Sequence, residues 1–334
     1  MKFKKIAALS TAVIMSASML VGCGNNKSKE NTDKSFKIGM VADIGGINDE
    51  SFNQSAWEGL QKAEKDFGIE VKVIESKQAS EYLQNMESLL DEDVDMVIGV
   101  GYTMKEDIEK QAKNYPDKQF VLIDETYDSI PENVTPILFR ENEAAYLTGL
   151  VAGKMTENNN VGFIGGIQTP VISRFEYGYK AGVKEANKDC NVNVQYAGTF
   201  SDAAKGKSIA NQMYGNGSDI ILAAAGGTGL GSIESAKEQN KYAIGVDRDQ
   251  SDLAPKNVLT SALKKVNVGV YDTVKEFIEG KLKGGQEKVY GLKEDGVGIP
   301  ETTKNLVPQD IIDYVNSMIE KIKNDEIKVP SNEE

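Results

Sequence analysis

The chain has 334 residues, 40% of them apolar and 27% charged, enough for two domains with separate cores. It contains no His, which removes triads of the Ser-His-Asp kind and His-ligated zinc. The formal net charge is −13, and the first 22 residues hold Lys2, Lys4 and Lys5 and no acid, so the rest is three units more negative. A surface this acidic argues against nucleic acid, which needs its phosphates neutralised, and leaves uncharged nucleosides and sugars as ligands.

The chain starts with a basic segment, MKFKK, followed by the apolar run Ile6–Val21, too short to read as a membrane span. The run ends in Leu20-Val21-Gly22-Cys23, the pattern of a bacterial lipobox. This predicts a signal peptide over 1–22, a lipid on Cys23, and attachment to the extracytoplasmic face of the cell membrane. The polar stretch from Gly24 to Lys34 has the composition of a disordered tether. Cys190 is then left without a partner, and no disulfide framework is expected.

Beyond the tether, strands and helices alternate. Strands are predicted at Phe36–Val41, Ile69–Glu75, Met96–Val100 and Gln119–Ile123, with helices at Phe52–Phe67, Ser80–Asp91 and Met104–Asn114. A helix follows at Glu141–Met155, and the series restarts with a strand at Val161–Ile164. Further strands are read at Asp219–Ala225, Lys241–Val246 and Leu259–Leu263, and helices at Ser232–Gln239, Val268–Gly280 and Pro308–Asn324. Gly284–Val297 reads as a short strand pair. This alternation means parallel sheets with crossover helices.

The restart is nearly literal. Shifting the first half by 123 residues places Gly39 on Gly162, Phe52 on Phe175, Gly59 on Gly182 and Ala63 on Ala186. Asp124, at the end of a strand, falls on Asp247, at the end of another. Internal repetition of this kind predicts two like-folded α/β domains. The expected division is 35–140 plus about 260–285 for the first and 141–259 plus about 286–334 for the second. Open parallel sheets bind ligands at the carboxyl ends of their strands, so the two domains would face each other across one cleft.

Phe52 stands where the strand-loop-helix turn of Ile38–Trp57 meets solvent, and is expected to form one wall of that cleft. The repeat supplies Phe175 as the opposite wall. Aromatic faces stack on flat rings, at about 1–3 kcal/mol per base. Carboxylates accept two hydrogen bonds in fixed geometry and so suit vicinal hydroxyls. Two aromatics with Asp124 and Asp247 therefore point to a base plus a ribose. Lys264, at the return to the first domain, either bonds the ligand or neutralises the aspartates. Trp57, the single Trp, either shapes the pocket wall or belongs to the core. The run Gly226-Gly227-Thr228-Gly229-Leu230-Gly231 lacks the G-x-G-x-x-G spacing of dinucleotide sites, and close backbone approach to a sugar hydroxyl is its expected use. No nucleophile, metal cluster or cofactor motif appears, so an enzyme is not expected.

The segment from Asp43 to Gly59, DIGGINDESFNQSAWEG, resembles the opening signature of the basic membrane protein family, the PnrA-like lipoproteins that bind purine nucleosides for ABC transporters. The lipobox, Leu122-Ile-Asp124, Gly162–Gly166, Phe175–Gly182, Gly245-Val-Asp247 and Thr260–Lys264 fit the same pattern, which covers essentially all of the mature chain. The resemblance implies a type I periplasmic-binding-protein fold with a hinge of three crossings. It implies that Phe52 and Phe175 sandwich the purine and that Asp43 and Asn48, or Asp49 beside it, bond the base edge. Asp124, Asp247, Lys264 and backbone near Gly227 would hold the ribose, with Asn53 and Trp57 in the same neighbourhood. The implied partners are adenosine, guanosine or inosine and an ABC permease, with the chain a monomer. Because some members of the family are surface adhesins, an adhesin of the same fold and a sugar-binding lipoprotein are the alternatives.

Overall fold

Residues 36–332 are described here from a computed structural model. Cys23, the lipobox and the tether lie outside these residues. The first half runs β1 (Lys37–Ala42), α1 (Phe52–Phe67), β2 (Glu70–Glu75), α2 (Tyr82–Asp91), β3 (Met96–Val100), α3 (Lys105–Asn114), β4 (Gln119–Ile123) and β5 (Val134–Phe139). The second runs α4 (Glu141–Met155), β6 (Asn160–Gly165), α5 (Pro170–Ala186), β7 (Asn191–Tyr196), α6 (Ala203–Gly215), β8 (Ile220–Ala224), α7 (Gly227–Gln239), β9 (Tyr242–Asp247) and β10 (Val258–Lys264). The chain ends with α8 (Val266–Ile278), β11 (Lys288–Tyr290), β12 (Val297–Gly298) and α9 (Gln309–Lys323).

Composition decides where each strand sits. The strands at β1, β3, β4, β6, β8 and β9 are near-continuous apolar runs, as strands covered on both faces require. By contrast, β2 (EVKVIE) and β7 (NVNVQY) alternate with polar residues and form sheet edges. The sheet orders are β11-β5-β4-β3-β1-β2 and β12-β10-β9-β8-β6-β7, so each strand of one sheet has its counterpart in the other. Only the edge strands contributed last differ: β11 pairs parallel to β5, whereas β12 pairs antiparallel to β10.

The helices pack by the same logic. Ala56, Leu60 and Ala63 form the buried stripe of α1, which ends at Gly68 in the left-handed conformation (φ 67°). A side chain at Gly59 would collide with the backbone of Asn267, so α8 lies close against α1. Nearly all of α4 is buried, because it packs on α5, α9 and β10 at once.

Three expectations need revision. The strand β5 was not foreseen; Pro136 at its centre masks the pattern, yet the strand pairs with both β4 and β11. The strand pair expected within Gly284–Val297 does not form: β11 joins the first sheet and β12 the second. The return expected at about residue 260 comes later, because β10 pairs with β9 through Leu263 before α8 docks on α1. The chain therefore passes between the two sheets at Arg140, at Lys265 and between Tyr290 and Val297. Among the described residues, no helix is long and apolar enough to cross a membrane.

Candidate binding cleft

The carboxyl ends of both sheets open onto one cleft. Asp43, Phe52, Asn53, Asp124, Phe175, Gly227, Asp247 and Lys264 all line it. Asn48 does not: it is an exposed loop residue away from the lining. Trp57 does not either, since one turn into α1 its ring packs on the main hydrophobic core instead.

The start of α1 is built around Asp49. Its Oδ1 accepts the backbone N–H of Ser51 at 2.9 Å and of Gln54 at 3.1 Å. Its Oδ2 accepts the N–H of Asn53 at 2.8 Å and the Asn53 side-chain amide at 2.9 Å. Asp49 thus lines the cleft with its acceptor capacity already used as the helix cap. Ser51, the residue before α1, makes no side-chain cap; its hydroxyl instead donates to Asp247 Oδ2 from the other sheet.

Asp43 is held from two sides. Its Oδ1 accepts from Gly45 N at 2.8 Å and Asn53 Nδ2 at 2.7 Å, and its own N–H donates to Asn53 Oδ1 at 3.0 Å. None of these bonds uses Oδ2, which is left for the cleft. Burial holds the Asp43 carboxyl above its usual value, against the hydrogen bonds from Gly45 and Asn53.

Asp124 and Asp247 both adopt positive φ, 68° and 63°. The repeat therefore extends to an uncommon backbone conformation that turns each carboxylate off its strand end. Lys264, 3% exposed, donates to Asp124 Oδ2 and lies 3.8 Å from Asp247 Oδ1. Burial works against its ammonium, yet Asp124, Asp247 and Glu141 hold its pKa above the ordinary lysine value. Burial pushes Asp247 up to about 6, although Lys264 and Ser51 both oppose the shift. The ammonium also sits 4.4 Å from the Phe52 ring centroid and 5.9 Å from that of Phe175. Both rings and both aspartates thus gather around one cation.

The glycine run behaves differently from expectation. Gly226 (φ 52°) is the N-cap of α7, and the rest of the run is helical from Gly227. A side chain at Gly231 would strike the Ala203 carbonyl of α6, so the later glycines serve helix packing. Only Gly226 and Gly227 reach the cleft.

Several cleft residues carried no motif. Ile44 and Ile167 are exposed at 48% and 37% on opposite lips, 123 residues apart. Behind Lys264 lies Glu141, fully buried, whose Oε1 accepts from Arg174 Nε at 2.6 Å. Burial raises Glu141 to about 7 even though Arg174 pulls it down. Glu141 gives no local signal, but it lies 123 residues before Lys264, so the repeat could have found it.

Two facing sheets of like topology around one cleft define a two-lobed binding fold. The family model described as "ABC transporter substrate-binding protein PnrA-like" (Bmp) matches residues 36–333, and the chain belongs to this family. It is 38% identical over 320 residues to the "ABC transporter nucleoside-binding protein BmpA" of Lactococcus lactis, covering 89% of this chain and 91% of that one. It is 39% identical over 303 residues to "Basic membrane protein A" of Borreliella burgdorferi, covering 89% and 88%. A crystal structure of an ABC transporter solute-binding protein from Aeropyrum pernix superposes with a TM-score of 0.82 at 27% identity, covering 88% of this chain and 94% of that one.

Proposed function

We propose that the protein is a lipid-anchored extracytoplasmic receptor that captures purine nucleosides and hands them to an ABC permease. The observation that carries this reading is the convergence of Phe52, Phe175, Asp124 and Asp247 on Lys264. The aromatic faces take the base, with Asp43 Oδ2 at its edge, and the aspartates take the ribose hydroxyls. The name of the Lactococcus relative supports a nucleoside, and the lipobox at Cys23 supports the anchor. Capture is by hinge closure of two lobes about the crossings at Arg140, at Lys265 and between Tyr290 and Val297.

Calorimetry on the full chain in detergent, with adenosine, guanosine, inosine, cytidine and free ribose, tests the reading. Purine nucleosides are expected to bind with Kd well below about 100 μM, roughly −5.5 kcal/mol, and the others far more weakly. Purine nucleosides that bind no better than free ribose would overturn it.

A further inference from the structure

The repeat pairs Glu141 with Lys264: each is the residue at which the chain, having crossed or about to cross between the sheets, enters the charged floor of the cleft. One half supplies an acid and the other a base at the same position. The groups facing Glu141 are Arg174 from α5, Asp124 from the end of β4 and Lys264 from β10, with Asp247 beyond Lys264. On its own helix Glu143 is engaged elsewhere, accepting Leu292 N at 2.7 Å, and α9 meets α4 further along, where Lys154 lies over Tyr314. Two cations thus face three carboxylates at the floor of the cleft, all of them buried but Arg174. Two oxygens of this group, Glu141 Oε2 and Asp124 Oδ1, are buried with no hydrogen-bond partner among the described residues.

We propose that Glu141 is a positioning residue for ligand capture, and that its proton decides whether Lys264 stays with the two aspartates or is drawn towards a third carboxylate. The inference rests on the nucleoside reading for its ligand, but not for its ligand-free consequence. With the proton on, Arg174 and Lys264 balance Asp124 and Asp247, and both aspartates remain ionised acceptors for hydroxyl donors. With the proton off, three buried carboxylates compete for two cations, and ionising all three is costly. Burial places this change near neutral pH for Glu141, with Asp247 gaining its proton at lower pH. Affinity for a nucleoside then has two limbs: it falls in acid as Asp247 is protonated, and falls again above neutrality as Glu141 ionises.

The test is affinity for guanosine and adenosine between about pH 5 and about pH 9, in wild type and in Glu141→Gln. Gln keeps an acceptor for Arg174 and cannot ionise. Wild type should lose about tenfold across the alkaline limb, the factor given by one pKa unit of coupling, and Glu141→Gln should lose the acid limb only. An alkaline limb of equal size in Glu141→Gln overturns the proposal. The 15N resonance of Lys264 Nζ, assigned with Lys264→Met, gives a ligand-free readout: it should show a step near neutrality and a lower one from Asp247 in wild type, and only the lower one in Glu141→Gln. If no nucleoside binds at any pH, the receptor reading fails while this resonance still decides the role of Glu141. If Glu141→Gln does not fold, Arg174→Gln replaces it; removing that cation should move both the alkaline limb and the Lys264 titration to higher pH, and an unchanged titration overturns the proposal.

Discussion

The two halves share strand order, an offset of 123 residues and even the positive φ of their strand-end aspartates, yet their cleft faces differ in chemistry. The first half brings Asp43, Asp49 and Tyr102 to the cleft; at the equivalent positions the second has Gly166, Ile172 and Ala225. Elements kept in both halves, Phe52 with Phe175 and Asp124 with Asp247, form the symmetric clamp. Elements kept in only one give the cleft a direction, with Asp43, Asp49 and Tyr102 on one side only. A duplicated fold thus holds an asymmetric ligand by diverging at a few loop positions while the frame stays constant.

The sharpest way to break this comparison is at its oppositely charged pair. Lys264→Met strands Asp124 and Asp247 without their cation and should cost about 3–5 kcal/mol of stability by denaturant titration. Glu141→Gln, at the matching position, removes one of three carboxylates and should be far milder or stabilising at alkaline pH. The walls sharpen it next. Phe175 is 2% exposed within the core, so Phe175→Ala should cost about 3–5 kcal/mol of stability as well as binding. Phe52 is only half-buried, and Phe52→Ala should chiefly cost about 1–3 kcal/mol of nucleoside affinity by calorimetry.

The pH dependence of folding follows from the same floor. Glu141 rises from 4.5 to about 7 and Asp247 from 3.8 to about 6, so the native state binds their protons more tightly than the unfolded chain. Their contribution is therefore present in acid and is lost as pH rises through those values; for Glu141 it is about 3 kcal/mol. A Tm that falls from about pH 5 to about pH 8 in wild type, and less in Glu141→Gln, is the expected result. The smallest effect belongs to Arg248, which bridges Glu50 at 2.6 Å and Glu58 at 2.7 Å from the opposite sheet. These groups are partly exposed, so Arg248→Ala should cost under about 1 kcal/mol, vanishing at high salt.

Much of this was legible in the sequence because repetition constrains both fold and site. The offset gave the paired sheets, both aromatic walls and both strand-end aspartates, and near-continuous apolar runs marked the central strands. Side-chain partners across the cleft were not legible. Ser51 looks like a cap, but Asp49 takes that task and frees the Ser51 hydroxyl for Asp247, some 200 residues away. Asn48 and Trp57 sit in the right segment, yet the loop leaves Asn48 exposed and the course of α1 sets Trp57 on the core. The three residues of β11 and the two of β12 carry too short a pattern to show which sheet they join.

The late return of α8 to α1 bears on how the chain reaches its native state. Ser55 Oγ accepts from Asn267 N at 3.2 Å, a contact spanning 212 residues. During synthesis from the N-terminus, the first sheet waits for α8 and β11, so its outer face stays uncovered until the whole second repeat has been made. Contacts this distant in sequence close slowly, because the intervening loop must be ordered first. The first half is therefore made early but completed late, and a chain cut after residue 264 would leave α1 without the helix it packs against.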